Sequence, residues 1–296
     1  MSSTGQKWLI GCGIGCGAVV VLILLLIGTG VFFTRKAVRG FKAVEATSQR
    51  LEAEYGAVES YCPPPDGGVS AGRIERFIAV RDSLADVSGE IAERIAELSD
   101  NILRLENDEV KSFGDVMRVI TRGVSVVPQL ADYYATRNRA LLEHGMGPGE
   151  YLYLYFTIYY AYLGVDPGDG PPFKIMDHGG RHRGLDWETG DEDDLSGEEI
   201  RANRRLWITS TVHDLMLPML ECQLESMEMS SMADPAWRRA LGREVEALRT
   251  DPNRLIWADG LPPTLFAPLS LYRVELTMRY DAMLNPLEVM STMDEN

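Results

Sequence analysis

Apolar residues recur three and four positions apart along much of the chain, with charged residues between them, which is the pattern of amphipathic helices. The longest run predicts a helix of about 35 residues and comprises Ile74, Phe77, Ile78, Leu84, Val87, Ile91, Ile95, Leu98, Ile102 and Leu105. An earlier run predicts a stalk helix over residues 35–60 and comprises Phe41, Val44, Ser48, Leu51, Tyr55 and Val58. The stalk has too few heptads for a sustained coiled coil, which favours packing against its own domain over packing against a second copy.

Shorter runs predict further helices in the second half of the chain. The third predicted helix contains Phe113, Val116, Ile120 and Val124, and the fourth extends from near Pro128 to Gly145. Another helix follows the capping box Ser196-Gly-Glu-Glu199 and is expected to kink near Pro218, and a short helix is capped by Asp234. The last predicted helix has these residues on one side: Leu265, Leu269, Tyr272, Leu276 and Tyr280. Between them, Tyr151 to Leu163 is apolar or aromatic on every face. Its aromatic content favours a strand, but Pro148 ahead of it and Gly164 behind it favour a buried helix.

Two segments lack helical periodicity. Three prolines and two glycines make residues 61–70 a linker or a rigid corner. Residues 165–195 are rich in Gly, Pro, Asp and Glu and predict a long acidic surface loop or a disordered insertion.

Residues 8–34 carry no charge, and a wholly apolar run begins at Ala18. About 20 such residues cross a bilayer as a helix, so this segment is predicted to be transmembrane, after a short tail at residues 1–7. A cleaved signal peptide would end at small residues, whereas this segment ends at Phe32 and Phe33. The expected lipid contact is therefore a single-pass anchor in a cell (inner) membrane.

The first turns of the span contain two pairs of glycines four residues apart, Gly11 with Gly15 and Gly13 with Gly17. Such spacing lets two helices approach closely in lipid, which predicts self-association; the alternative is a loosely helical entry to the bilayer. The opening Lys7-Trp-Leu-Ile-Gly-Cys-Gly-Ile-Gly-Cys-Gly17 resembles the start of a group of uncharacterised bacterial single-pass membrane-anchored proteins. That resemblance is confined to the N-terminal segment and implies no activity.

Together these segments predict a mainly α protein. A transmembrane helix continues into the stalk and is followed by a helical-bundle-like soluble domain over residues 71–290, with the acidic loop inserted and a tail at residues 291–296.

The charge is distributed unevenly. The chain carries a formal net charge of -15, and the basic residues that flank the span are Lys7, Arg35, Lys36, Arg39 and Lys42. Every acidic residue follows them, which leaves 24 basic against 44 acidic residues, or -20, on residues 43–296. Nucleic acid is excluded as a partner because binding it requires clustered Lys and Arg. The basic residues after the span favour a cytoplasmic domain, whereas bacterial chains of this layout usually export it, so the side is left open.

Two cysteines lie outside the span. Cys62 and Cys222 either form a disulfide or remain as two partly buried thiols, and the sequence favours the thiols.

One basic cluster interrupts the acidic loop and is a candidate anion-binding loop: His178, Arg181, His182 and Arg183. It lacks the end of a phosphate loop, and a solvated loop is the alternative. Zinc at His178 and His182 has no evident third ligand, and Asp191 to Asp194 does not fit a calcium loop. No hydrolase, metalloprotease or dinucleotide motif occurs, so no catalytic residue, metal or cofactor is predicted.

Three functions remain open. The first is a membrane-tethered helical domain that serves as a protein-interaction or structural module for an unidentified protein partner. The second is a binding module for an apolar or amphipathic small molecule, built from the tyrosine-rich helix and residues 216–232, with an apolar cavity of several hundred cubic ångströms, on the order of a drug-sized pocket. The third is an enzyme that uses His178, His182 or His213.

Overall fold

The protein is mainly helical. The structure, a computed structural model, describes residues 43–106, 113–171, 176–178, 182–184, 197–229 and 234–290. The helices are α1 (residues 43–55), α2 (Ala71–Glu106), α3 (Phe113–His144), α4 (Pro148–Tyr155), α5 (Gly197–Glu228), α6 (Pro235–Thr250), α7 (Pro263–Ser270), α8 (Arg273–Met278) and α9 (Asn285–Met290). A π-helix, Phe156–Tyr162, extends α4, and two 3-10 turns lie at Val58–Ser60 and Ala282–Leu284. The predicted transmembrane segment lies outside the described residues, and none of the helices in these ranges is long and apolar enough to cross a membrane.

Helices α2 and α3 form a long antiparallel hairpin. The predicted long helix is confirmed as α2, whose 36 residues extend over about 54 Å. The third and fourth predicted helices are wrong as separate elements, because α3 runs through Pro128 without ending. A proline removes only one backbone donor, and packing of α3 along α2 compensates for it.

Helix α1 packs on the body of its own chain. Leu51 is buried in the core, and Asn138 of α3 donates hydrogen bonds to Thr47 and Ser48 at 3.3 and 2.9 Å. Farther along α1, Tyr55 lies against Gly147. Helix α1 is therefore parallel to α3, and the preferred intramolecular packing is what the structure has for residues 43–55.

Residues 61–70 form a rigid corner rather than a free linker. Cys62 and Cys222 are joined by a disulfide with their Cα atoms 5.5 Å apart, so the favoured alternative of two thiols is not what the structure has. Gln223 donates to the carbonyl of Pro64 at 2.6 Å. Trp237 donates to the carbonyl of Pro65 at 3.2 Å, which fixes the corner against α5 and α6.

The tyrosine-rich segment is a buried helix, as predicted, formed by α4 and the π-helix. It lies at the centre of the core, and its tyrosines pack ring against ring; Tyr155 and Tyr159, for example, have ring centroids 4.7 Å apart.

Within the predicted loop over residues 165–195, the structure describes residues 165–171, 176–178 and 182–184. Strands β1 (Met176–His178) and β2 (His182–Gly184) pair as an antiparallel hairpin. Arg204 of α5 donates to the carbonyls of Gly168 and Pro171, and Arg205 binds the carboxylate of Asp166. Composition alone did not reveal these anchors, because each contact comes from a residue distant in sequence.

The C-terminal segment also differs from the prediction. Asp234 caps α6 as expected, by accepting from the backbone of Ala236. The single last helix is wrong, because the chain breaks at Tyr272 into α7 and α8 and adds α9 after them. Tertiary contacts override the periodicity here: the Tyr272 hydroxyl donates to Glu75 at 2.9 Å, and Arg279 binds Asp82.

Candidate functional site: a buried charge cluster and the cleft beside it

Glu288 of α9 is at the centre of a buried charge cluster. Its side chain is fully buried, and its carboxylate accepts hydrogen bonds from Arg81 of α2, from Tyr133 of α3 at 2.5 Å and from Tyr151 of α4 at 3.0 Å. Arg137 of α3 adds an ion pair to the same carboxylate at 3.6 Å. The buried charge cluster, defined as these five residues, joins four helices through one carboxylate.

The cluster holds two arginines and one glutamate. Arg81 is 5% exposed and Arg137 is 7% exposed, so both guanidinium groups have lost most of their water. Arg81 also donates to the carbonyl of Arg279 at 2.9 Å. The Nε and Nη1 atoms of Arg137 are buried without a hydrogen-bond partner. A buried charge without full compensation costs several kcal/mol, so the cluster carries one excess positive charge at an energetic cost.

The tyrosines of the site are neutral donors. Burial raises the pKa of Tyr133 and of Tyr151 well above the usual range for a phenol, so both keep their protons and can donate to Glu288. Tyr155 and Tyr160 donate in the same way to Asn285, one turn before Glu288, at 3.2 and 2.8 Å. Helix α9 therefore contributes two hydrogen-bonded polar side chains, Asn285 and Glu288, to the core.

A cleft borders the cluster where α1, α3 and α4 meet. Its volume is about 50 Å³, and its polar lining comes from Ser48, Glu52, Arg137, Asn138 and Tyr151. At roughly 10 to 15 Å³ for each water-sized sphere, it holds a few such atoms. Arg137 and Tyr151 belong to both the cleft and the cluster, so an occupant of the cleft would lie next to the excess positive charge.

A second feature is an exposed apolar surface on the helices before α9. Phe266, Leu271, Val274 and Met278 are 49%, 79%, 67% and 70% exposed. We refer to these four side chains as the α7–α8 surface. Large exposed apolar patches on soluble domains mark contacts with proteins or membranes.

The predicted basic loop is only partly described. In the backbone register of the β hairpin, His178 is opposite His182 and Asp177 is opposite Arg183, whereas Arg181 lies outside the described residues. His213 contacts Asp214 at 3.2 Å and the carbonyl of Leu248 at 3.1 Å, so it joins α5 to α6. Across the described ranges, no group of three metal-ligating side chains occurs.

The elements proposed for small-molecule binding lie in the core. Met216, Met219 and Met227 are completely buried, as are most of the tyrosines of α4 and the π-helix. The cleft beside Arg137 is smaller and more polar than the apolar cavity that this hypothesis requires.

Sequence reasoning missed the cluster, although a signal for it exists. Arg81 lies on the apolar face of α2, four residues after Phe77 and three before Leu84. Arg137 lies in α3 between Tyr134 and Leu141. A charged residue at a core position of a helix requires a buried partner. No pattern identified Glu288 as that partner, because it is 207 residues from Arg81.

Comparison with protein-family models, curated proteins and solved structures gives no match for this chain.

Proposed function

We propose that the chain is a membrane-tethered helical domain, held outside the cytoplasm, that docks a partner protein on the α7–α8 surface. The observation that carries this proposal is the exposure of four large apolar side chains within 13 residues, from Phe266 to Met278. Fully burying a side chain of this size contributes about 1.5 to 3 kcal/mol, and the cost of association is subtracted from the sum.

The charge of this region supports a docking role. Between Leu261 and Tyr280 the charged residues are Arg273, Glu275 and Arg279, which sum to +1. Residues 43–296 carry -20. Glu75 and Asp82 of α2 contact this segment at Tyr272 and Arg279, and with them the local sum is -1, so the α7–α8 surface repels an acidic partner less than the rest of the domain does.

The position of the surface favours a protein over the bilayer. Helix α1 runs parallel to α3, so the first described residue of α1 lies beside Tyr134 of α3. That point is about 15 Å from His144, the last residue of α3, in the direction of the end where α2 is followed by α3. The residues on either side of α8 contact α2: Arg279 binds Asp82, which is next to the Ser83 that contacts His144, and Tyr272 binds Glu75, farther along α2 in the opposite direction. If the predicted anchor continues in line from α1, the α7–α8 surface lies at the end of the domain away from the membrane.

The disulfide supports a location outside the cytoplasm. Bonds of this kind persist in oxidising compartments and are rare in the reducing cytosol. Cys62 and Cys222 hold the corner at residues 61–70 against α5. This observation outweighs the count of basic residues beside the span, because long domains translocate largely regardless of charge.

Site-specific photo-crosslinking in cells tests the docking proposal. A photoreactive amino acid is introduced at Leu271 or Val274, with Met229 as a matched control, since Met229 is 84% exposed and lies just after the end of α5, outside the α7–α8 surface. We expect a discrete protein adduct from Leu271 and Val274 but not from Met229, and we expect Met278→Asp to reduce the adduct.

Other outcomes separate the alternatives. An adduct of twice the chain's mass would make the partner a second copy, and an adduct with lipid would replace the protein partner with the bilayer. Equal yields from Leu271 and Met229 would overturn the docking role of this surface.

A further inference from the structure

We infer that the cleft between α1, α3 and α4 is a binding site for a small carboxylate, held by Arg137. This inference is independent of the α7–α8 surface, because the cleft lies at the junction of α1 with the body. Three observations support it: an unsatisfied buried cation, a free hydroxyl donor and a space of the right size.

The unsatisfied cation is Arg137. Glu288, its nearest carboxylate, lies 3.6 Å away and also accepts from Arg81, so one negative charge is shared between two guanidinium groups. Arg137 further packs over the ring of Tyr134, with its guanidinium carbon 5.1 Å from the ring centroid. A ring face carries only a partial negative charge, and within the described residues Glu52, which also borders the cleft, forms no ion pair with Arg137, so a bound anion would compensate the second guanidinium group.

The free donor is the hydroxyl of Ser48. Asn138 donates its side-chain N–H to the Ser48 oxygen at 2.9 Å. A hydroxyl has one proton and two acceptor lone pairs, so this bond leaves the Ser48 proton available for an acceptor in the cleft. A carboxylate there would accept from Ser48 on α1 and from Arg137 on α3.

Size and charge select the ligand class. A volume of about 50 Å³ accommodates a carboxylate and one or two carbon atoms. The cluster lacks one negative charge, which a carboxylate supplies, whereas a phosphate dianion would exceed the deficit. Glu52 also borders the cleft and repels a dianion more strongly than a monoanion.

Occupancy would join α1 to the body. Ser48 lies on the helix that leads toward the predicted membrane anchor, and Arg137 lies on the long hairpin. A ligand that binds both residues stabilises the docked position of α1, because a ligand favours the state that binds it more tightly.

The experiment is a saturation-transfer NMR titration of acetate against the full chain in nanodiscs. We expect saturable binding with a Kd on the order of 1 mM, as suits a ligand of four heavy atoms. Arg137→Gln should abolish the signal, and Ser48→Leu, which fills the cleft from the partly exposed side of α1, should do the same without altering the buried charge cluster.

Matched variants complete the test. Arg139→Gln, at an exposed position of the same helix, should bind acetate as the native chain does. Glu52→Gln should tighten binding roughly two- to fivefold, because it removes a like charge beside the cleft. No saturable signal from the native chain, or equal binding by the native chain and Ser48→Leu, would overturn the proposal. Displacement of acetate by lower concentrations of phosphate would overturn the ligand class.

Discussion

Arg137 lies 3.6 Å from Glu288, measured from Nη1 to Oε2, across the contact between α3 and the last helix of the chain. The same carboxylate accepts from Arg81, so Glu288 is the shared counter-ion of two buried arginines on two helices. Helix α9 has only six residues, too few to be stable alone, and its position depends on this polar contact and on Leu287 and Val289 in the core.

Replacement of Glu288 by glutamine should destabilise the fold by about 3 to 5 kcal/mol, because it leaves two buried guanidinium groups without a negative charge. Urea unfolding measures this change. The matched control is Glu246→Gln, whose side chain is 74% exposed and which should change the free energy of unfolding by no more than about 0.5 kcal/mol. Equal effects of the two substitutions would show that the cluster is not the main polar support of the core.

The corner before α2 depends on glycine at position 67. Gly67 has φ +67°, and an added Cβ would lie 2.2 Å from the ring of Trp237. We expect Gly67→Ala to lower the free energy of unfolding by at least about 2 kcal/mol, through strain and the shift of Trp237. In contrast, Gly89→Ala should stabilise by about 0.5 to 1 kcal/mol, because Gly89 is an exposed position within α2 with no atom near its Cβ direction. Thermal and urea unfolding of both variants provide the comparison.

The disulfide closes a loop with a sequence separation of 160 residues. Loops of this length give about 5 kcal/mol of stabilisation on chain-entropy grounds, so Cys222→Ser should cost about 2 to 5 kcal/mol. Reduction of the native chain should produce a similar loss, and reduction of Cys222→Ser should produce none. A native chain whose unfolding is insensitive to reductant would contradict the disulfide.

Alkaline pH should destabilise the domain. Burial raises the pKa of Tyr61 to about 12 and raises the pKa of Tyr151 and Tyr153 further, whereas an unfolded tyrosine titrates near 10. Above pH 10 the unfolded chain releases protons that the native chain retains, so the free energy of unfolding is fully maintained below pH 10 and falls as pH rises beyond it.

Each buried tyrosine contributes about 1.4 kcal/mol per pH unit to this fall. Tyr153→Phe should therefore reduce the slope between pH 10.5 and 12 by about that amount. Urea unfolding over this range measures the slope, and absorbance at 295 nm follows ionisation. Native tyrosines that all titrate near pH 10 would contradict their burial.

Sequence pattern predicted the elements whose stability is local. The three-and-four spacing identified α2 and its approximate length, and Asp234 identified the start of α6. Sequence pattern did not predict the features that depend on contacts between residues distant in the sequence. Pro128 does not interrupt α3 because α2 supports it, and Tyr272 ends a helix because its hydroxyl is bound by Glu75. The candidate site fell in the second class, since Arg81 and Glu288 meet only in the folded chain.

The location of the domain is the central claim, and thiol labelling in intact cells tests it most directly. A membrane-impermeant thiol reagent is applied to a Cys12→Ala, Cys16→Ala chain before and after treatment with an impermeant reductant. Cys222→Ser in the same background provides a free Cys62 thiol as the control for access. We predict labelling of Cys62 and Cys222 only after reduction, and labelling of the control without it. Labelling that requires a breached membrane and no reductant would place the domain in the cytoplasm, without its disulfide, and would contradict the account.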